Sequence, residues 1–186
     1  MTTLILAALL ALQQAPNPDP DLSSRPELGA SLRKPAKNDD WEFKPTGGFF
    51  SNSRIAVGHK VEPVFLDVLI EDKGTGVTMW DPRGAAENTY RSLATTQGVT
   101  DARMQPIKSS KLPGGGASNA QAQLLDMTFK RDGKDMELRM WVFVGKQNGN
   151  LFSVSVTGEA GTYKKHQKVL DAMLATLQTF KAVFPK

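Results

Sequence analysis

The chain has 186 residues and no cysteine. This absence excludes disulfides, thiol nucleophiles, zinc–thiolate sites and iron–sulfur clusters. It also removes the residue to which a bacterial lipoprotein attaches its lipid anchor. Histidine is almost as scarce, because the sequence contains only His59 and His166. Any chemistry that depends on histidine therefore has to use one of these two residues.

Neither histidine lies in a catalytic motif. His59 follows Gly58 in a predicted turn near Glu62, and His166 lies in a lysine-rich segment. A serine nucleophile needs a histidine that is oriented by a carboxylate, and the Gly-x-Ser-x-Gly elbow that often carries such a serine is absent. We interpret His59 as an exposed loop residue, and we expect no catalytic residues and no enzymatic activity.

Other candidate motifs have simpler interpretations. The adjacent carboxylates of Glu71–Asp72 and Asp132–Asp135 lie at predicted strand ends and lack the spacing of an EF-hand calcium loop. Gly114–Gly116 lacks the Gly-Lys-Ser/Thr ending of a phosphate-binding loop, so we interpret it as a flexible connection. Phe49–Phe50 and Trp80 are interpreted as the rim of a core rather than as a stacking surface for a ligand. No metal and no cofactor is expected.

The chain also lacks a strong charge of either sign. Its 23 Lys and Arg residues and 19 Asp and Glu residues give a formal charge of +4. The basic residues are scattered rather than concentrated in a stripe with aromatic residues, which disfavours nucleic acid as a partner. One cluster, Lys164, Lys165 and Lys168, falls in the first turns of the last predicted helix, where the helix dipole disfavours cations. We predict that these lysines, together with Lys146, contact an acidic surface of a partner protein.

Long apolar runs are lacking as well. Leu4–Leu12 is too short to span a bilayer as a helix, which takes about 20 residues. Its length and position are typical of a signal peptide, so we predict a signal peptide over residues 1–15. Export would then place the protein in the periplasm, the envelope or the extracellular space, without a lipid anchor and without a transmembrane helix.

The composition changes after the apolar run. Between residues 16 and 40, prolines alternate with polar and charged residues, and apolar residues become sparse. Such a segment buries too little surface to offset the entropy of ordering it. We therefore predict a proline-rich, disordered linker over residues 16–40, followed by one domain over residues 41–186.

The first half of this domain alternates between strand and helix patterns. Period-two alternation predicts strands at Trp41–Pro45, Arg54–Val57 and Val64–Ile70. Asp81 followed by Pro82 is typical of a helix start, and we predict that this helix ends at Gly98. A further strand is expected over residues 103–109.

The second half has clearer signals. Two apolar runs, residues 122–130 and 136–144, flank Asp132–Gly133, which predicts a β-hairpin because a tight primed turn needs positive φ at both central residues. Asn148–Gly149 repeats this pattern before a third strand over residues 151–157. A long final helix follows, with an apolar stripe through Val169, Met173 and Leu177 and extending to Phe180. Strands, helix, strands and helix in this order predict an α+β domain, an antiparallel sheet sandwiched by helices (α/β/α).

With this layout, the chain resembles the PsbP-like superfamily. The resemblance covers about Trp41–Phe184 and rests on the opening Trp41–Pro45, the single mid-chain helix, the run of hairpins and the closing Val169–Phe180. That fold is shared by an extrinsic subunit of photosystem II, a nuclear-import protein that binds the GTPase Ran, and bacterial envelope proteins of unknown role. The resemblance implies a fold and a role in binding or stabilising other proteins, and it carries no catalytic residues onto this chain.

Three functions remain open at this point. The leading one is a non-enzymatic, exported domain that binds or stabilises a protein partner. The first alternative is a small-ligand carrier with a pocket between the sheet and a helix. The second is a hydrolase, which turnover that is lost on replacing His59 would support.

Overall fold

The computed structural model describes residues 19–35, 38–45, 53–72 and 81–183. The predicted signal peptide lies outside these residues, as do Phe49–Phe50 and Trp80. Within the described ranges, no helix has the length and apolar character needed to cross a membrane.

The described residues form two antiparallel sheets and two long helices. In chain order the elements are β1 (Leu22–Arg25), β2 (Ala30–Arg33), β3 (Trp41–Lys44), β4 (Arg54–His59), β5 (Phe65–Glu71), α1 (Pro82–Ala94), β6 (Val99–Met104), β7 (Lys108–Lys111), the short α2 (Gly116–Asn119), β8 (Gln121–Arg131), β9 (Lys134–Val144), β10 (Leu151–Glu159), α3 (Thr162–Ala175) and β11 (Gln178–Thr179). The main sheet has the order β3-β4-β5-β10-β9-β8-β6, with β7 also paired to β8. The small sheet has the order β1-β2-β11.

The two hairpin predictions are confirmed. Asp132 and Gly133 have φ angles of 52° and 78°, and they connect β8 to β9 in an antiparallel pair. The segment with Gly149, whose φ is 75°, connects β9 to β10, which also pair antiparallel. Local turn chemistry therefore sets the register of β8 with β9, whereas residues 145–150 join β9 to β10 in a longer turn in which Gly149, but not Asn148, has positive φ.

The two long helices cover opposite faces of the main sheet. Leu124 and Leu125 are neighbours on β8 and point to opposite faces, and each belongs to a different apolar cluster. Ala86 of α1 is fully buried in the Leu125 cluster, whereas Leu170 and Met173 of α3 are fully buried in the Leu124 cluster. The predicted α/β/α sandwich is confirmed.

The start of α1 follows from its first two residues. The side chain of Asp81 accepts a hydrogen bond of 3.0 Å from the backbone N–H of Arg83, and Pro82 occupies the first helical position, where a missing N–H costs nothing. The helix ends at Ala94 rather than at Gly98. A turn follows Ala94, and β6 then begins at Val99. The strand predicted over residues 103–109 is therefore split between β6 and β7.

Residues 22–33 form β1, a 3-10 turn over Pro26–Leu28 and β2, so the prediction of a disordered linker is wrong for this part of the chain. Leu28, Ala30 and Leu32 are 9%, 0% and 0% exposed and belong to the cluster beneath α3. They alternate with polar residues, so one side of β2 is apolar although the average composition is polar. The side-chain amides of Asn148 and Asn150 each donate 3.0 Å hydrogen bonds to the carbonyl of Leu28, which fixes the segment to the β9–β10 turn.

The end of α3 differs from the prediction for a related reason. The helix ends at Ala175, and β11 then pairs with β2, with Gln178 opposite Ser31 and Thr179 opposite Ala30. The N–H of Phe180 donates to the carbonyl of Gly29 at 2.9 Å. The backbone of β2 offers hydrogen-bond partners to residues 178–180, which a disordered linker could not do. The helix therefore ends five residues before Phe180, the residue to which the predicted helix extended.

Gly114–Gly116 is a packing site rather than a flexible connection. It lies in a 3-10 turn and at the start of α2, directly against the end of α3. A Cβ atom on Gly116 would lie 1.9 Å from the carbonyl oxygen of Leu174. Only glycine allows the two backbones to approach this closely.

Candidate functional site

An open groove lies between the sheet and the first turns of α3. Its volume is about 480 Å³. The side chains that determine its character come from β6, β8, β9 and α3, namely Arg103, Asp126, Glu137, Arg139, Tyr163 and Lys164. We call this surface the groove.

The acidic groups of the groove are engaged within the protein. Asp126 accepts a 2.6 Å hydrogen bond from Nε of Arg139, and the Arg139 guanidinium lies 4.5 Å above the centre of the Tyr163 ring. Glu137 accepts a 2.7 Å hydrogen bond from the backbone N–H of Tyr163. Because Gly161 at the start of α3 has no side chain to accept from this end of the helix, Glu137 takes the place of a capping residue.

The hydroxyl of Tyr163 is held in its protonated form. Burial, and then the hydrogen bond of 2.8 Å that it donates to Asp171, raise the pKa of Tyr163 to about 12. A phenol with this pKa does not serve as a base or a nucleophile near neutral pH. Tyr163 therefore contributes a ring and a fixed hydrogen bond.

The basic groups at the opening of the groove are not engaged in the same way. Arg103 and Lys164 are exposed, and within the described ranges no hydrogen bond or ion pair involves their side chains. The groove therefore combines carboxylates that are hydrogen-bonded within the protein with two cations that are open to solvent.

A second cluster lies on the opposite flank of α3. His59 ends β4, Glu62 lies in the β4–β5 turn, and Lys165 and His166 lie in the second turn of α3. We call these four residues the histidine cluster. Lys165 Nζ lies 2.6 Å from Oε1 of Glu62, and His166 Nε2 lies 3.0 Å from Oε2 of the same carboxylate.

The two histidine rings are close to each other and to Trp41. Their centroids are 4.9 Å apart. The buried Trp41 ring meets His59 at 5.2 Å and His166 at 5.5 Å, in edge contacts with interplanar angles of 85° and 84°. Trp41 is the strand partner of His59 in the β3–β4 pair, so the sheet register positions one ring and α3 brings the other.

His59 is also tied to its own turn. Its Nδ1 accepts hydrogen bonds from the backbone N–H groups of Val61 at 3.3 Å and Glu62 at 3.0 Å. The carboxyl of Glu62 has its pKa lowered to about 2, first by the hydrogen bond from Lys165 and then by that from His166. Glu62 is therefore ionised near neutral pH.

The residue types of the histidine cluster are those of a metal site. Within the described ranges, His59, Glu62 and His166 form a group whose possible ligand atoms lie within 4.8 Å of one another. Two contacts oppose a metal. Nδ1 of His59 accepts two hydrogen bonds from backbone amides. The single proton of the neutral ring therefore lies on Nε2, which then has no lone pair for a metal. The Lys165 ammonium forms an ion pair with the carboxylate of Glu62 and would repel a metal cation bound there. A resident metal does not fit this arrangement.

Three of the four lysines predicted to bind a partner lie on α3. Lys164, Lys165 and Lys168 are exposed on the first half of α3. Lys146 lies in the turn beyond Val144, at the far end of β9 from Glu137. At about 3.4 Å per residue, β9 spans about 24 Å between Glu137 and Val144, and a shared contact of Lys146 and the helix lysines with one partner stays a prediction.

Sequence reasoning missed the groove and the meeting of the histidines. The Asp126–Arg139 pair could have been found, because a hairpin with its turn at Asp132–Gly133 places these two residues opposite each other. No local signal brings His59 to His166, since their contact depends on where α3 crosses the sheet.

Comparison with known proteins places the fold but not the function. No protein-family model matches the chain, and no curated protein matches it in sequence. The structure is similar to that of cyanobacterial PsbP (CyanoP) from Synechocystis sp. PCC 6803, with a TM-score of 0.57, 11% identity, and 91% of this chain and 99% of that chain covered.

Two further solved structures are similar. LpqN of Mycobacterium tuberculosis, described as involved in cell envelope biogenesis, has a TM-score of 0.51 at 12% identity over 88% of this chain and 87% of that one. The Saccharomyces cerevisiae Ran-binding protein Mog1p has a TM-score of 0.51 at 8% identity over 82% of this chain and 91% of that one. Identities this low carry the fold alone. The resemblance seen in the sequence is confirmed at this level, and the chain has a PsbP-like fold.

Proposed function

We propose that the protein is a non-enzymatic, exported domain that binds or stabilises a protein partner, and that the partner's acidic segment binds in the groove. The observation that carries this proposal is the charge state of the groove. Asp126 is paired with Arg139 and Glu137 accepts a hydrogen bond from the start of α3, while Arg103 and Lys164 face solvent without a counterion from the described residues. An acidic segment would supply those counterions.

The chemistry of the groove supports binding rather than catalysis. Tyr163 keeps its proton near neutral pH because its pKa is raised to about 12, and the carboxylates are occupied. The histidine cluster lies on the other flank of α3, and the contacts described for His59 join it to backbone amides, His166 and Trp41 rather than to a hydroxyl.

Two further observations support the remaining parts of the proposal. The similarity to a Ran-binding protein agrees with a role in partner binding. The apolar run Leu4–Leu12 and the similarity to an envelope-biogenesis protein agree with export. An alkaline phosphatase fusion to the N-terminal segment would test export, since the enzyme is active only after translocation.

Matched charge variants test the binding site. The double variant Arg103→Gln/Lys164→Gln removes two cations at the groove, and Lys146→Gln/Lys181→Gln removes two cations that do not line it, so both variants lose the same net charge. We expect tagged protein crosslinked in the envelope fraction to retain its specific partner in the second variant and to lose it in the first. Equal retention in both variants would contradict the groove as the site.

A small-ligand carrier is the second candidate, because the groove lies between the sheet and a helix and its volume of about 480 Å³ suits a small molecule. The two candidates differ in a thermal-shift screen of small anions and metabolites. A carrier is stabilised by about 2.7 kcal/mol when its ligand is present at a hundred times Kd. A domain that binds only a protein segment shows no such shift.

A further inference from the structure

We propose that Asn148 is a deamidation site that the folded chain protects, and that its conversion to a carboxylate prevents residues 22–33 from docking again. We call residues 22–33 the β1–β2 segment. Asn148–Gly149 is the one Asn–Gly pair of the sequence. The inference concerns the turn between β9 and β10 and is independent of what the groove binds. It rests on the hydrogen bonds that hold the side-chain amide of Asn148 and the backbone of Gly149.

The reaction needs these two residues and water. The backbone nitrogen of Gly149, after losing its proton, attacks Cγ of Asn148 and forms a cyclic succinimide, and Nδ2 leaves as ammonia. Water then opens the ring at either carbonyl, which gives aspartate or isoaspartate at this position. Asparagine is a thermolabile residue, and glycine after it favours the attack because it has no side chain to hinder the nitrogen or to restrict the backbone.

The fold holds both reacting groups in hydrogen bonds. The N–H of Gly149 donates a 2.8 Å hydrogen bond to the carbonyl of Gly145, and this bond has to break before the nitrogen can attack. Oδ1 of Asn148 accepts a 3.1 Å hydrogen bond from the backbone N–H of Asn150. Nδ2 of Asn148 donates to both carbonyls of Leu28–Gly29, each at 3.0 Å. The amide group is therefore fixed as long as the β1–β2 segment is docked.

The same contacts make docking sensitive to the product. The amide of Asn148 donates two hydrogen bonds to the β1–β2 segment, whereas an ionised carboxylate can only accept. After deamidation, a negatively charged oxygen would face two carbonyl oxygens at the position where Nδ2 lies. A half-buried charge in such surroundings is unfavourable. Isoaspartate would also lengthen the backbone of the turn by a methylene group. Either product opposes docking.

Opening of the β1–β2 segment is what exposes the site. Leu28, Ala30 and Leu32 are buried in the cluster beneath α3, and β2 pairs with β11. Opening exposes these apolar side chains, so it is rare in the intact protein. The amide of Asn148 is free to react only while the segment is open, and the loss of ammonia makes the conversion irreversible. Deamidation thus makes a transient opening permanent.

Asn150 is a control within the same turn. Its Nδ2 donates a 3.0 Å hydrogen bond to the carbonyl of Leu28, so its side chain depends on the same docking. The residue that follows it is Leu151, whose side chain hinders attack by its backbone nitrogen. We therefore expect conversion at Asn148 to precede any conversion at Asn150.

Peptide mass spectrometry of the full chain, incubated at mildly alkaline pH, measures the conversion at each position. Leu32→Ala weakens docking of the segment, whereas Leu125→Ala removes an equally buried leucine from the cluster on the other face of the sheet. Asn148 should deamidate about tenfold or more faster in Leu32→Ala than in the parent, because the open state is more populated. Leu125→Ala should raise the rate by less. If circular dichroism shows that either alanine variant is unfolded, Leu32→Val and Leu125→Val make the same comparison.

Asn148→Asp reproduces the aspartate product and tests its effect on docking. Gln147→Glu is the matched control, because it makes the same change from amide to carboxylate in the adjacent, exposed residue. We expect the urea midpoint of Asn148→Asp to fall by about 0.5–1.5 M and that of Gln147→Glu to stay at the parent value. Amide hydrogen exchange of residues 30–33 should become faster in Asn148→Asp alone.

Three results would overturn the proposal. Deamidation of Asn148 that is as fast in the folded parent as in urea would show that the fold gives no protection. Equal rates in the Leu32 and Leu125 variants would show that global unfolding, rather than opening of the β1–β2 segment, exposes the site. Equal urea midpoints for Asn148→Asp and Gln147→Glu would show that docking tolerates the carboxylate.

Discussion

Replacing Leu32 with alanine tests whether residues 22–33 belong to the folded domain. Leu32 is 0% exposed and lies in the apolar cluster beneath α3. Removing a fully buried leucine side chain costs about 2–5 kcal/mol, and the upper half of this range applies where neighbours cannot collapse into the space. Here β2 is held by β1 and β11 on its two sides, so we expect about 3–4 kcal/mol.

Urea unfolding followed by far-UV circular dichroism measures this loss. With a slope of about 2 kcal/mol per molar urea, the midpoint should fall by about 1.5–2 M. Arg33→Gln is the matched control, because Arg33 is the adjacent residue, is exposed, and forms a surface ion pair with Asp19. Such a pair contributes at most about 1 kcal/mol. Equal midpoints for Leu32→Ala and the parent would show that the segment is a detached linker.

Three further predictions concern single positions. The pKa of Glu62 is lowered from 4.5 to about 2 by Lys165 and His166. The contribution of the Glu62 carboxylate to the free energy of unfolding is therefore complete above pH 4.5 and is lost as the pH falls towards 2. In urea titrations, the stability difference between the parent and Glu62→Gln should shrink over that interval. Gly133→Ala should lower the free energy of unfolding by about 1 kcal/mol, because φ is +78° but nothing lies near the new methyl group. Gly116→Ala should lower it by about 3 kcal/mol, because the new Cβ would meet the Leu174 carbonyl. Similar urea midpoints for the two variants would contradict the close packing at Gly116. Tyr163→Phe should remove an ionisation near pH 12 from the ultraviolet absorbance titration, and loss of an ionisation near the ordinary pKa of 10.0 instead would show that this hydroxyl is not buried against Asp171.

The central sheet was predictable because its signals are local. Asp132–Gly133 favours a primed turn whatever surrounds it, and that turn fixes the pairing of β8 with β9. Asp81–Pro82 likewise starts α1 by backbone chemistry that involves its own first turn. Sequence reasoning succeeds where a few neighbouring residues determine the conformation.

The errors arose where distant partners decide the structure. Residues 22–33 have a polar average composition, yet β11 and the amides of Asn148 and Asn150 supply the hydrogen bonds that order them. The same pairing ends α3 at Ala175. The alternation of Leu28, Ala30 and Leu32 with other residues was the local signal for an ordered segment. The polar average composition of the range was used instead.

The candidate sites were even less accessible from the sequence. The lysines of α3 were recognised, and their contact with a partner, together with Lys146, stays a prediction. The groove requires β6, β8, β9 and α3 to meet, and the histidine cluster requires α3 to cross the sheet beside Trp41. Neither arrangement is determined by residues that are close together in the sequence.

Site-specific photocrosslinking at the groove is the most direct test of the account. A photoreactive phenylalanine analogue placed at Gln105, which lines the groove, should crosslink in cells to an acidic segment of one protein, as identified by mass spectrometry. The same analogue at Lys146 should not yield that product. Identical products from both positions, or a product from Gln105 that lacks acidic residues at the crosslinked peptide, would contradict the claim that the groove binds an acidic partner.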